Sequence, residues 1–77
     1  MINIVEGVRT VIAFHLGAAD ATMTEDAKLA ELGADSLDVY EIAMSLEEKF
    51  NIHITDHDTA CFVTVGDAIA FIRSKVG

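Results

Sequence analysis

The stretch that decides the fold runs from Gly33 to Phe50 and reads GADSLDVYEIAMSLEEKF. It contains no proline, and its apolar residues recur three or four positions apart, which is the spacing of an amphipathic helix. Asp35 and Asp38 have the separation of a variant capping box. The helix is therefore predicted to begin at Asp35 or Ser36 and to continue to about Phe50.

Advancing this helix by about 100° per residue divides its apolar residues between two arcs. The first arc is the predicted core face and contains Val39, Ile42, Ala43, Leu46 and Phe50. The second arc contains Leu37, Tyr40 and Met44, interleaved with Glu41, Glu47 and Glu48. Since both arcs cannot face one interior, the second is predicted to be partly exposed. It suits docking against a basic partner with an apolar dimple, although surface hydrophobes and solvating charges are also common without function.

Helices are also predicted on both sides of this stretch. Helical spacing of apolar residues from Asn3 to Leu16 predicts a first helix, with Asn3 as its N-cap and Gly17 as its C-terminal stop. Thr55 with Asp58, and Thr64 with Asp67, repeat the helix-start signal. They predict a short helix near Asp56 to Cys61 and a last helix that carries Arg73 and Lys75 in its final turns and ends at Gly77.

The segment from Ala18 to Gly33 is predicted to be a long loop with Leu29 and Leu32 anchored in the core. A connection of this length is unusual in a small domain, and a short helical turn around Asp26 to Glu31 is compatible with it. The whole chain, residues 1–77, is thus predicted to be a single all-α domain. We expect a compact antiparallel-type four-helix bundle with three main helices, one short helix and a long loop after the first.

Charge and cysteine content restrict the function and the location. Thirteen acidic residues against five Lys and Arg give a net charge of -8. Nucleic acids and anionic membrane surfaces would repel such a chain, whereas basic proteins would attract it. No segment is long enough to cross a bilayer, so membrane insertion is not expected. A single cysteine, Cys61, forms no internal disulfide and favours a reducing compartment, the cytoplasm by default.

Ser36 has two interpretations when only its position is considered. Serine at a helix start is usually an N-cap. It is also a favourable place to attach a phosphodiester, because free backbone N–H groups and the helix dipole stabilise negative charge there. Position alone permits modification without requiring it.

The extended pattern around Ser36 is more informative than the residue itself. Gly33-Ala34-Asp35-Ser36-Leu37-Asp38, followed by Glu41 and by Met44 through Leu46-Glu47-Glu48 to Phe50, resembles the acyl carrier protein family. The resemblance extends to essentially the whole chain, because the helix start Thr64-Val65-Gly66-Asp67-Ala68-Ile69 is similar to that of the family's last helix.

The resemblance implies that Ser36 accepts 4'-phosphopantetheine from coenzyme A through a phosphopantetheinyl transferase. The thiol of the arm would hold acyl groups as thioesters for fatty-acid, polyketide or related biosynthetic enzymes, and the carrier, a monomer, would perform no catalysis itself. Asp35 and Asp38 would help enzymes recognise the attachment site. The recognition helix for partners with basic docking surfaces would contain Leu37, Tyr40, Glu41, Met44, Glu47 and Glu48.

Two further expectations come from the same resemblance. An attached acyl chain would shelter between helices, near the core face of the second helix, Ile54, Phe62 and Ile69, although these residues also suit ordinary core packing. The family often has a smaller aliphatic residue where Tyr40 stands and proline where Thr55 stands. Tyr40 changes the recognition helix, which suggests a specialised rather than a general carrier.

Other candidate sites are weaker. Cys61 has no base assigned by any sequence pattern, and His15, His57 and Cys61 lack the spacing of a zinc site. The run Asp20, Thr22, Thr24, Asp26, Lys28 and Glu31 has EF-hand spacing, but Glu25 stands where that loop needs glycine. No dedicated metal site is therefore predicted, and weak divalent binding among the clustered carboxylates, which would relieve their mutual repulsion, stays open as an alternative.

Two other classes of function remain open from the sequence. The chain would be an unmodified acidic interaction module if Ser36 served only as a cap. A small hydrolase would require a convergent nucleophile, base and oxyanion site, which the sequence does not display.

Overall fold

A computed structural model describes residues 3–17 and 24–76 of the chain. Its helices are α1 (Ile4–Leu16), α2 (Ser36–Phe50), α3 (Asp56–Thr59) and α4 (Val65–Val76), with a 3₁₀ helix (Leu29–Leu32) before α2. The described ranges contain no strand, only an isolated bridge between Lys28 and Thr64. They also contain no helix long and apolar enough to cross a membrane. The predicted all-α fold with four helices is confirmed.

The ends of α1 follow from its local sequence. The Asn3 side chain accepts a hydrogen bond from the Glu6 N–H at 3.2 Å. At the other end, Gly17 adopts φ 65°, and its N–H donates to the Ala13 carbonyl at 2.8 Å. These contacts satisfy backbone groups that a helix leaves unpaired at its ends, so the predicted bounds of α1 are confirmed.

The starts of α3 and α4 also match the sequence signals. Thr55 and Asp58 form a reciprocal capping box, and Thr64 and Asp67 exchange two bonds of 3.0 Å in the same way. The end of α3 differs from the prediction near Cys61, because the helix stops at Thr59. After Thr59 some backbone hydrogen bonds join residues three apart, as in Phe62 N–H to the Thr59 carbonyl at 3.1 Å. These bonds turn the chain so that the Phe62 side chain is buried. The predicted stop at Gly77 lies outside the described residues.

The core lies between the three long helices. Its largest fully buried side chains are Val8, Ile12, Leu29, Ile42, Leu46, Val65, Ile69 and Ile72. Helix α1 packs against both α2 and α4, and a 2.8 Å hydrogen bond between His15 Nε2 and Ser45 Oγ joins α1 to α2. Leu29 is buried and Leu32 packs at the edge of the core, which confirms both as anchors of the connection after α1.

The 3₁₀ helix begins at Leu29, three residues later than the turn allowed at Asp26 to Glu31, and ends one residue later, at Leu32. Three backbone hydrogen bonds explain its place by tying residues 25–29 to the start of α4. They are Leu29 N–H to Val63 O at 2.9 Å, Val65 N–H to Ala27 O at 3.0 Å and Gly66 N–H to Glu25 O at 2.7 Å. We refer to these three bonds as the clasp. Because the clasp fixes Leu29 in the core, the helical turn begins at that residue.

Gly66→Ala is expected to weaken the clasp. A Cβ atom at Gly66 would lie 2.8 Å from the Glu25 carbonyl oxygen, which is backbone and must move. Overpacking of this kind costs about 1–3 kcal/mol, and higher helix propensity returns at most about 1 kcal/mol. Thermal unfolding followed by circular dichroism should show a lower Tm, by several degrees for each kcal/mol lost.

Ala70→Gly, at an exposed position of α4, measures the propensity contribution alone and serves as the control. If the Tm of Gly66→Ala were equal to or above that of the original sequence, the close approach to the Glu25 carbonyl would not destabilise the protein.

Candidate functional site

Asp35, and not Ser36, caps α2. The Asp35 side chain accepts from the Asp38 N–H at 2.9 Å, and Asp38 Oδ2 accepts from the Asp35 N–H at 3.1 Å. The predicted capping box is therefore present. Ser36 occupies the first helical position and is exposed. The interpretation of Ser36 as an ordinary N-cap is thus wrong.

Ser36 differs from the two other serines of the chain in what its hydroxyl does. Ser45 Oγ is hydrogen-bonded to His15, and Ser74 Oγ donates to the Phe71 carbonyl at 2.7 Å. The Ser36 hydroxyl has no hydrogen-bond partner within residues 3–17 and 24–76. It is available for chemistry that would cost the fold no existing contact.

The backbone around Ser36 suits a phosphodiester. Gly33 turns the chain from the 3₁₀ helix into α2 with φ 98°, a conformation that favours glycine. The capping box uses the Asp38 N–H, which leaves other N–H groups of the first turn directed outward at the positive end of a 15-residue helix. Such an end stabilises an added negative charge. The exposed hydroxyl and its surroundings fit the phosphate of a phosphopantetheine arm.

An apolar and acidic stripe runs along α2 from Ser36. The apolar members are exposed by 64% at Leu37, 46% at Tyr40 and 44% at Met44, and Glu41 and Glu48 beside them are also exposed. We refer to these five residues as the docking stripe. Its partial exposure confirms the second arc derived from the sequence, while Ile42, Ala43, Leu46 and Phe50 of the first arc are buried.

Glu47 is partly exposed like the rest of the second arc, but its carboxylate is engaged within the fold. Its Oε2 atom accepts from the Ile54 N–H at 2.7 Å and lies 3.5 Å from His53 Nδ1. The carboxylate is partly buried and holds the segment that leads from α2 into α3. The predicted partial exposure of Glu47 is thus confirmed, but periodicity does not reveal its bond to a backbone group seven residues away.

A largely apolar groove of about 830 Å³ opens beside Ser36. The groove is bounded on three sides. Its walls are Ser36, Val39 and Tyr40 of α2, residues 28–30 of the 3₁₀ segment, and residues between 56 and 63 in and after α3. Phe62 contributes to the groove and meets Phe71 edge to face, with ring centroids 5.5 Å apart. Its volume is in the range of small-molecule sites. The groove thus places a ligand-sized space next to the free hydroxyl.

The residues expected to shelter an acyl chain are only partly brought together. Val39 and Phe62 line the groove, whereas Ile54 and Ile69 are buried in the core away from it. Sequence reasoning missed the groove residues Lys28, Asp56 and Thr59. No local signal could have found them, because the clasp and the turn after α3 bring these segments together.

The capping box of α3 lowers the pKa of Asp58. The principal cause is the hydrogen bond that its carboxylate accepts from the Thr55 N–H, followed by the contact with the Thr55 hydroxyl and by the charges of Lys75 and His57. Because the pKa is lower in the folded state, the ionised carboxylate stabilises α3 at neutral pH. This contribution is lost as the pH falls below about 3.9, the ordinary value for aspartate, toward the lowered pKa.

We therefore expect the Asp58 carboxyl to titrate below that of aspartate in an unstructured peptide. The Thr55→Val variant removes the hydroxyl and keeps the backbone N–H, so the pKa should rise only part of the way. Carboxyl carbon shifts followed by NMR between pH 2 and 6 measure both values. An Asp58 titration at or above the peptide value would contradict the capping geometry.

The structure adds no catalytic or metal-binding partners to the weaker candidates, Cys61 and the EF-hand-like run, within the residues it describes. Cys61 is exposed rather than packed, and its thiol is 3.7 Å from the His57 carbonyl. Asp20 and Thr22 of the EF-hand-like run lie outside the described residues. Thr24, in the same run, donates to Asp26 at 2.7 Å. The part of the chain that the structure describes has no group of three or more His, Cys, Asp or Glu residues placed to hold a metal ion.

Comparison with known sequences agrees with this geometry. A family model described as a phosphopantetheine attachment site matches residues 6–72. A protein named acyl carrier protein from Sulfurovum sp. (strain NBC37-1) is 47% identical over 70 residues, covering 90% of this chain and 93% of that protein. Another of that name, from Phenylobacterium zucineum (strain HLK1), is 42% identical over 78 residues, covering 100% of this chain and 99% of the relative.

A solved structure shares the fold. The crystal structure of an acyl carrier protein from Thermotoga maritima superposes with a TM-score of 0.80, covering 94% of this chain and 85% of that one, at 26% sequence identity. The sequence comparisons and the structural comparison therefore both find acyl carrier proteins as relatives of this chain.

Proposed function

Because this chain belongs to the acyl carrier protein family, with 4'-phosphopantetheine as its cofactor, we propose that Ser36 is the attachment site. The observation that carries this proposal is the free hydroxyl of Ser36 at the first position of α2, with the cap supplied by Asp35. Modification at this position would leave the capping box intact. The matched family model spans the same residue.

The proposed reaction with coenzyme A uses a phosphopantetheinyl transferase as the catalyst. The Ser36 hydroxyl gives up its proton, its oxygen forms the new bond to phosphorus, and the nucleotide half of coenzyme A leaves with the electron pair of the broken phosphoanhydride bond. The first turn of α2 then faces the new phosphodiester, whose charge the helix dipole favours. When bound, the arm supplies a thiol that holds acyl groups as thioesters.

The carrier role follows from what the chain offers around Ser36. It presents the docking stripe and the groove, while the acyl-transferring or synthase enzymes supply the catalysis. Carboxylates at Glu41 and Glu48 would steer partners with basic surfaces, and Leu37 and Met44 would supply apolar contact. Asp35 and Asp38, next to the hydroxyl, would help define the attachment site, and Glu47 would contribute by holding the segment after α2.

The proposed carrier role extends to a class of biosynthetic pathway and to a cellular location. The monomeric carrier would deliver intermediates of fatty-acid, polyketide or related biosynthesis within the cytoplasm. A single exposed Cys61 suits a reducing compartment. Contacts limited to one stripe suit brief encounters, since a carrier must be released quickly to visit its next enzyme.

Incubation of the purified chain with coenzyme A and a broad-specificity transferase tests the function. Intact mass spectrometry should show the addition of one phosphopantetheinyl group per chain, and a thiol reagent should then label two thiols, the arm and the exposed Cys61, instead of Cys61 alone. A chain that gains no such mass under conditions that modify another acyl carrier protein would instead be an unmodified interaction module.

A further inference from the structure

Besides the Ser36 hydroxyl, the residues that line the groove carry two hydrogen-bond donors without a partner in the described part of the chain. They are the Tyr40 hydroxyl and the Lys28 ammonium group. Thr59 donates to the Thr55 carbonyl at 3.0 Å, and the other polar side chains of the lining, Asp35 and Asp56, carry carboxylates, which accept rather than donate. The groove therefore offers donor capacity that the fold itself does not use.

The positions of polar and apolar groups define how a cargo would lie in the groove. Leu29, Val39 and Phe62 supply apolar walls, and the first and last of these are buried. Tyr40 is half-exposed and lies one helical turn after Ser36. A cargo that enters the groove from the exposed side, where Ser36 and Tyr40 lie, inserts its alkyl end first against the apolar walls, and its thioester end is then the part nearer Tyr40.

A plain alkyl chain is a poor match for this mouth. Its only acceptor near the mouth is the thioester carbonyl, which every cargo carries, so it leaves one of the two donors, Tyr40 or Lys28, without a partner where it displaces water, and an unmade hydrogen bond is costly. A chain with a hydroxyl or keto oxygen near the thioester would provide a second acceptor. A carboxylate is disfavoured, because Asp35 and Asp56 place two carboxylates on the same groove against the single ammonium of Lys28.

We propose that Tyr40 makes this groove select acyl groups with a hydroxyl or keto oxygen close to the thioester over fully reduced chains of equal length. The inference rests on the proposed function, because it concerns the cargo of the arm on Ser36. Tyr40 acts as a specificity-determining residue: its ring forms part of the groove, and its hydroxyl donates to the oxygen of the cargo.

The test compares two thioesters that differ by one oxygen, 3-hydroxyoctanoyl and octanoyl, loaded on the phosphopantetheinylated chain. Their cleavage by hydroxylamine is measured and divided by the rates of the same thioesters on coenzyme A, which removes intrinsic reactivity. We expect the hydroxylated chain to be protected about fivefold more than the plain chain, the factor that one net hydrogen bond provides. In Tyr40→Phe, which keeps the ring, the two chains should be protected equally.

Equal protection of both acyl chains by the phosphopantetheinylated protein that retains Tyr40 would overturn the inference. So would a preference that survives in Tyr40→Phe, because another group would then be responsible. Amide NMR shifts of Lys28, Tyr40 and Phe62 provide a second measurement, and they should change more with the hydroxylated cargo.

A second experiment separates this inference from the proposed function. The Ser36→Ala variant, which carries no arm, is titrated with the N-acetylcysteamine thioesters of the same two acids. Binding is followed by the NMR shifts of the backbone amides of the groove residues. We expect the hydroxylated thioester to bind severalfold more tightly, and the difference to vanish with Tyr40→Phe. Modification of Ser36 without such a difference would reject the groove preference alone. Absence of modification together with a clear difference would reject the attachment proposal alone.

Discussion

Ser36→Ala is expected to abolish phosphopantetheine attachment while leaving the fold unchanged. The substitution removes the only oxygen that would form the bond to phosphorus. It does not touch the capping box, which is built from Asp35 and Asp38. An exposed substitution of this kind changes the free energy of unfolding by no more than about 0.5 kcal/mol. Intact mass after prolonged incubation with coenzyme A and transferase should show no added group, with helicity and Tm as before.

The other serines provide matched controls for this loss. Ser74→Ala removes an exposed hydroxyl bonded only within α4, and Ser45→Ala removes the contact with His15 between α1 and α2. Both variants should be fully modified, although Ser45→Ala should be less stable. A Ser36→Ala protein that is modified as completely as the Ser74→Ala protein would place the attachment elsewhere.

Replacing Glu41 and Glu48 with lysine is expected to slow modification about tenfold at low ionic strength, since rim charges act mainly on the rate of encounter. Both carboxylates are exposed on the docking stripe, so the helix should keep its content by circular dichroism. The initial rate of mass gain under limiting transferase measures the effect. The difference should shrink as added salt shortens the Debye length from about 10 Å at 0.1 M toward about 3 Å at 1 M.

A control with the same change in net charge tests whether the position of the charge matters. Lysines at Glu6, Thr10 and Ala70 add as many positive units at exposed sites of α1 and α4. This variant should be modified at nearly the original rate. Equal slowing in both variants, or slowing that does not depend on salt, would mean that the stripe does not steer the transferase. Glu47 is left unchanged because its reversal would also break the bond to Ile54.

Helix positions could be predicted because their signals are local. The side chains of Asn3, Thr55 and Thr64 each accept a hydrogen bond from the backbone N–H three residues later, and the structure shows these contacts. Periodicity along α2 likewise separated buried residues such as Leu46 from exposed ones such as Leu37. The 3.6-residue period of a helix fixes the direction in which each side chain leaves the helix axis. The docking stripe on α2 could therefore be predicted without knowledge of the tertiary structure.

Features that depend on distant segments could not be predicted in the same way. The clasp pairs Leu29 with Val63 through backbone atoms, which carry no side-chain signature. Lys28 and Tyr40 come to one groove from different elements, and the bond between Glu47 and Ile54 crosses a turn. The identity of the cap was undecided between Asp35 and Ser36, because both residue types occur at helix starts.

The position of the added group on the chain tests the central claim most directly. The modified protein, isolated intact, is fragmented in the mass spectrometer without prior digestion, and the fragments that carry the phosphopantetheinyl mass are mapped onto the sequence. We predict that the mass appears only in fragments that contain Ser36, with the boundary between Asp35 and Leu37. Fragments that carry the group on Ser45, Ser74 or any other residue, with Ser36 unmodified, would contradict the assignment.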